Sequence, residues 1–115
     1  MKHYVLLFYT SRKLGPDEAK KRQIEILDWA KHVAAMGINL DPRALGAIAG
    51  NFTKEGDAIV SHEGSNDPRL TNFVFFNAAS EEQAVGIARL HPGLRYGTTV
   101  EVREWTSPLE TAAPR

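Results

Sequence analysis

Imidazole is the side chain best suited to moving a proton near neutral pH, and this 115-residue chain carries four, at His3, His32, His62 and His91. His91 is the most informative of them. It shares the inward side of a helical stretch with Ala84, Ile87 and Ala88, at the C-terminal end, where the dipole favours the protonated ring and burial opposes it. His62 closes a short apolar run and leads into a loop. Its neighbour Glu63 is a poor partner, because adjacent strand residues point to opposite faces. His91 and His62 are therefore the candidate catalytic acid–base groups; the alternative is a structural histidine bonded to backbone. His3 shares a strand face with Val5 and Leu7 and could look into the same interior, whereas His32 falls on the polar side of its helix and reads as exposed. Arg69, beside Asp67, could bind an anionic group or simply hold a turn. Arg95 and Tyr96 could reach a substrate carboxylate or phenolate, or pack at a dimer edge. His3, Arg69, Arg95 and Tyr96 are the candidate substrate-binding residues.

Other chemistries are excluded by the same inventory. With no cysteines, disulfide frameworks, thiolate zinc sites, iron–sulfur clusters and cysteine nucleophiles fall away. The histidines lack HExxH or any close ligand spacing, so no metal is expected. Gly46, Gly50 and Gly56 have neither the spacing nor the context of a phosphate loop or dinucleotide fingerprint, so no cofactor is expected. The 14 basic and 14 acidic residues cancel to zero formal charge, which argues against nucleic acid as a partner. The one basic cluster, Arg12, Lys13, Lys20, Lys21 and Arg22, is diluted by Asp17 and Glu18 and reads as a solvated helix face. The apolar run at the start is too short for a signal peptide or a membrane span, which points to a cytoplasmic chain with no membrane partner.

These side chains need a frame. Residues 4–9 form an apolar run rich in aromatic and branched side chains, a strand apolar on both faces that needs cover above and below. Gly15-Pro16-Asp17-Glu18 opens a helix, with proline suited to its first position and carboxylates to the positive end of its dipole. At about 100° per residue, Ile26, Leu27, Ala30, Val33 and Ala34 gather on one side, and Gly37 is placed to end the helix as a left-handed cap. Residues 39–43 read as a Pro-containing connection. Strands are expected near residues 45–52 and 58–62, joined as a hairpin by Lys54-Glu55-Gly56-Asp57. Residues 63–69 form a loop, the kind of segment that carries binding groups. Residues 72–77 are a second strand apolar on both faces; Ser80-Glu81-Glu82-Gln83 is a capping box; Pro92-Gly93 ends the helix it starts; residues 97–105 read as a half-buried strand.

Strand, helix, two strands, strand, helix, strand is an α+β order: a ferredoxin-like antiparallel sheet with two helices on one face, over residues 1–105, and a patternless tail at 106–115. Two helices cover one face of the sheet only. The aromatic and aliphatic surface left on the other exceeds what soluble monomers usually tolerate. A second copy packed sheet to sheet, as a two-fold homodimer, would cover it, and dimers could pair further into a larger homo-oligomer.

Several segments carry a family likeness: Met1-Lys-His-Tyr-Val-Leu-Leu-Phe8, Trp29 ahead of Gly37, Ala78-Ala-Ser80-Glu81-Glu82-Gln-Ala84, and above all His91-Pro92-Gly-Leu94-Arg-Tyr96-Gly97-Thr-Thr-Val-Glu101-Val102-Arg103. Over residues 1–105 the chain resembles the YCII-related family, whose members form dimeric α/β barrels from ferredoxin-like subunits. One branch of that family has Asp-Gly-Pro-Phe after the hairpin, where this chain reads His62-Glu63-Gly64-Ser65-Asn66. Another has a histidine early in the first helix, where this chain reads Gln23-Ile24-Glu25-Ile26, so no family dyad carries over. The resemblance implies a homodimer with a cleft for a small-molecule ligand. The family includes a lyase-type enzyme acting on hydroxylated aromatics, but the resemblance does not itself imply a reaction. Together with the inward imidazole and the aromatic strands it points to binding of, or acid–base chemistry by His91 or His62 on, a small organic molecule such as a hydroxylated aromatic. The competing reading is a non-catalytic homo-oligomeric interaction or regulatory module. A weaker third is a haem- or quinol-handling oxygenase of the wider dimeric-barrel group.

Overall fold

The structure, a computed structural model, describes residues 1–106. Strand β1 (Lys2–Thr10) lies in the middle of a four-stranded antiparallel sheet between β5 (Leu70–Ala78) and β6 (Thr98–Glu104), and the edge strand β2 (Asp41–Ala44) completes the order β2-β5-β1-β6. Strands β3 (Phe52–Glu55) and β4 (Ala58–Ser61) pair only with each other, as a separate hairpin. Among the described residues the architecture is α+β, with helices α1 (Pro16–Ala35) and α2 (Glu81–Arg89) and a 3-10 turn at Pro92–Tyr96. No helix in that range is long and apolar enough to cross a membrane. The expected tail lies, apart from Thr106, outside the described residues.

Register decides which side chains meet. Tyr4 pairs with Phe76 and Leu6 with Val74 on β5, while Leu6 also faces Val102 and Phe8 faces Val100 on β6. The pleat sends these residues to one side, where they close a single core with Trp29 and Val33 of α1, Ala84, Ile87 and Ala88 of α2, and Ile38. Both helices therefore lie on the same face. The opposite face carries His3, Val5, Leu7, Tyr9, Phe73 and Phe75, with Trp105 folded over its end: its ring centroid is 5.1 Å from His3 and 5.8 Å from Phe75.

The helix ends follow the local chemistry. Pro16 starts α1, and Gly37 takes φ 83° just past its end while donating to the Ala34 carbonyl at 3.0 Å. At α2 the Ser80 hydroxyl accepts from the Gln83 amide at 3.1 Å, and the Gln83 side chain accepts in return from Ala79, one residue before the cap.

Two expectations are corrected. The first hairpin strand, expected near residues 45–52, is displaced to Phe52–Glu55, residues 45–51 are irregular with Leu45 and Ile48 exposed, and Asp41–Ala44, within the expected connection, pairs with β5. Pro42 argued for a connection, but an edge strand has one row of amides with no ladder to complete, so proline is tolerated there. The buried face of α1 is also rotated. Trp29 and Val33 are buried and Ile26 and Ala30 half-buried, while Leu27 and Ala34 are exposed. Trp29 sets this orientation, because its indole Nε1 donates to the Ile87 carbonyl of α2 at 2.9 Å.

Candidate functional site

The core fills the end of the sheet near Tyr4 and Ala78; the other end stays open. Between the middle of α1 and the ends of β1, β5 and β2 lies a cleft of about 720 Å³. Its walls are Phe8, Val74, Leu40 and Pro42 from the sheet side, Ile26, Leu27, Trp29 and Ala30 from α1, with Thr10, Thr71, Asn72, Thr98, Gln23, Arg22 and His91 as its polar residues. Helix α1 is amphipathic enough to seat Trp29 and Val33 on the core, and its preceding turns then overhang the sheet.

His91 sits at the inner end of this cleft, 6% exposed. It follows α2 and caps the 3-10 turn: its Nδ1 accepts the Gly93 amide at 3.0 Å. An amide can only donate, so Nδ1 is unprotonated and the ring proton resides on Nε2. That nitrogen has no partner among the described residues. The ring packs against Phe8, at 4.7 Å between centroids, and makes a T-shaped contact with Trp29, at 4.6 Å. Burial, and then the positive charge of Arg22, lower its pKa to about 4, so the ring is neutral at pH 7. Gly93 is required by this close approach, since a Cβ there would stand 2.9 Å from Nδ1.

The other expected site residues are dispersed. His62 is exposed on the separate hairpin, with Nε2 2.6 Å from the Thr53 hydroxyl. His3 lies on the open face of the sheet, with Nδ1 2.5 Å from the Asn77 side-chain oxygen. Arg69 pairs with Asp67 at 3.0 Å in the loop before β5 and lies over the Tyr9 ring; this pairing holds the Asp67 carboxyl below its usual range. Arg95 and Tyr96 both donate to one oxygen of Glu25 on α1, each at 2.9 Å. Those two bonds lower the Glu25 pKa, and burial together with Glu25 raises that of Tyr96. They clamp the 3-10 turn to α1 beside a shallower groove of about 370 Å³ that contains Glu25, Asp28 and Arg95. Of the six candidates, only His91 lines the cleft under α1.

Arg22 is the group that sequence reasoning placed wrongly. It is half-buried and lines the cleft, and its Nε is enclosed with no hydrogen-bond partner among the described residues. The signal was available: Arg22 precedes Ile26 by four positions and Trp29 by seven, the spacing of one helix face. Among the described residues no group of three or more carboxylates and imidazoles is placed to hold a metal ion.

Comparison with protein-family models returns no match to this chain, and comparison with curated proteins returns none.

Proposed function

We propose that this chain is a homodimeric protein that takes a small organic molecule, such as a hydroxylated aromatic, into the cleft under α1, where the neutral His91 ring donates its Nε2 proton to an oxygen of the ligand. The observation that carries this reading is His91 itself: a buried ring pinned in one tautomer, its remaining nitrogen unpartnered among the described residues, at the inner end of a largely apolar cleft of about 720 Å³. Ligand sites commonly have that size and that mixture of apolar wall and few polar groups. A ring held this way acts as a hydrogen-bond donor or general acid. To act as a base it would have to give up the Gly93 bond and take the other tautomer.

The wider assignment rests on topology and likeness. The order β6-β1-β5-β2 with both helices on one side supports a ferredoxin-like reading of the fold. The residues that resemble the YCII-related family include the His91–Gly97 segment that builds the inner end of the cleft. Phe73, Phe75 and Trp105 on the open face favour sheet-to-sheet pairing into a dimeric α/β barrel.

Titration of the isotope-labelled protein with phenol and with catechol, followed by amide shifts, tests the reading. The shifts are expected to gather on Phe8, Trp29, Gly93 and Thr98, and His91→Asn to weaken binding about tenfold, as loss of one buried hydrogen bond does. Shifts scattered over the surface, or an affinity indifferent to His91→Asn, would count against it.

A further inference from the structure

We infer that the cleft under α1 is built for an organic monoanion, a carboxylate with an apolar body, and that Arg22 is its anion receptor. The inference deepens the reading just given and rests on the cleft being a ligand site. It begins from how this chain treats its arginines. Arg12 pairs with Glu18, Arg43 with Asp41, Arg69 with Asp67, Arg95 with Glu25 and Arg103 with Glu101. Arg89 is exposed to water. Among the described residues Arg22 has neither a carboxylate partner nor full hydration, and none of them gives its enclosed Nε–H an acceptor.

A guanidinium cannot discharge itself by losing a proton, so partial burial without an anion leaves its desolvation uncompensated. Among the described residues the cleft contains nothing that would compensate it: no Asp or Glu of that range lines it, and His91 is neutral, so the described lining carries a single formal positive charge. A carboxylate presents two oxygens that accept side by side from a planar guanidinium. The neighbouring polar groups, the paired hydroxyls of Thr10 and Thr71 and the Asn72 amide, are neutral. A single charge within apolar walls suits a monoanion carrying a hydrocarbon or aromatic body better than a phosphate, which brings more charge and less apolar surface. Arg22 and His91 stand on different elements and both line the cleft, so a ligand could present its carboxylate to one and a second oxygen to the other.

Benzoate and benzamide are nearly equal in shape and differ in charge, which makes them the probes. Both are titrated into the full-length protein while the Arg22 Nε–H resonance and the cleft amides are followed. Benzoate is expected to move the Arg22 signal and to bind at least about tenfold more tightly than benzamide, the factor typical of a hydrogen bond to a charged group. In Arg22→Gln that preference should fall to near one. Equal binding of the two probes in the cleft of the unmodified protein overturns the anion receptor and leaves the ligand site standing. If neither probe moves a cleft amide, both fall. Benzoate shifts confined to exposed arginines such as Arg12 and Arg69, or a preference that persists in Arg22→Gln, also overturn the inference. The comparison in the unmodified protein decides even where the variant does not fold.

Discussion

His91 carries the sharpest consequence of a single side chain's surroundings. Its ring takes up a proton near pH 6.5 when unfolded and near pH 4 in the fold, because burial and then Arg22 oppose the charge. Between those values the unfolded chain binds more protons than the native one, so the stability is complete above about pH 7 and is eroded as pH falls towards 4. The loss from this one ring is about 2–3 kcal/mol. His91→Asn keeps an acceptor for the Gly93 amide and removes the titration. Urea unfolding at neutral pH and near pH 4.5 should show a smaller drop in the variant than in the unmodified protein. Glu25 and Asp67, with their lowered pKa values, erode stability in the same direction in both proteins and cancel in the comparison. Equal drops would mean that His91 is protonated in the native state or already solvated.

At the scale of elements, α1 is anchored in the core through its C-terminal half and held by polar contacts ahead of it. Trp29 and Val33 anchor it to the core, the Trp29 indole reaches α2, and Glu25 ties it to Arg95 and Tyr96 of the 3-10 turn. The turns ahead of Trp29 form the roof of the cleft instead of filling it. Trp29→Phe keeps the aromatic body but leaves the Ile87 carbonyl without its donor, a change worth about 1–3 kcal/mol. Thermal unfolding should register that loss. The same variant should loosen ligand binding, since the ring that packs on His91 shifts with the helix; unchanged stability would show that the indole bond is replaced by water.

For the whole molecule the open face of the sheet is the deciding surface. Val5 is buried even in a single chain, while Leu7, Tyr9, Phe73 and Phe75 are half-buried and Trp105 remains 39% exposed. Trp105 covers one end of this face and no element covers its centre among the described residues. A second copy placed sheet to sheet would remove that surface from water. Sedimentation is expected to give a dimer at micromolar concentration, and Phe75→Glu a monomer with an unchanged far-ultraviolet circular dichroism spectrum. A monomeric unmodified protein would sink the sheet-to-sheet arrangement without touching the cleft.

Local chemistry made most of the elements legible. Pro16 and Gly37 bound α1, Ser80 and Gln83 start α2, Pro92 and Gly93 end it, and the doubly apolar runs around Leu6 and Phe75 mark the two central strands. Each of these signals acts within a few residues, so one chain of letters is enough to carry it. The same letters placed His91 on an inward face. They misplaced β2, because Pro42 is compatible with an edge strand only once its neighbour β5 is in position. They also treated Arg22 as solvated, because its isolation depends on which groups surround it: Phe8, Val74 and His91 come from three different elements, and none brings a carboxylate. Whether a charge is paired, a ring nitrogen is left over, or a helix leaves a gap beneath it is a property of distances between segments far apart in the chain. Those distances exist only after the sheet register and the Trp29 anchor have brought the segments together.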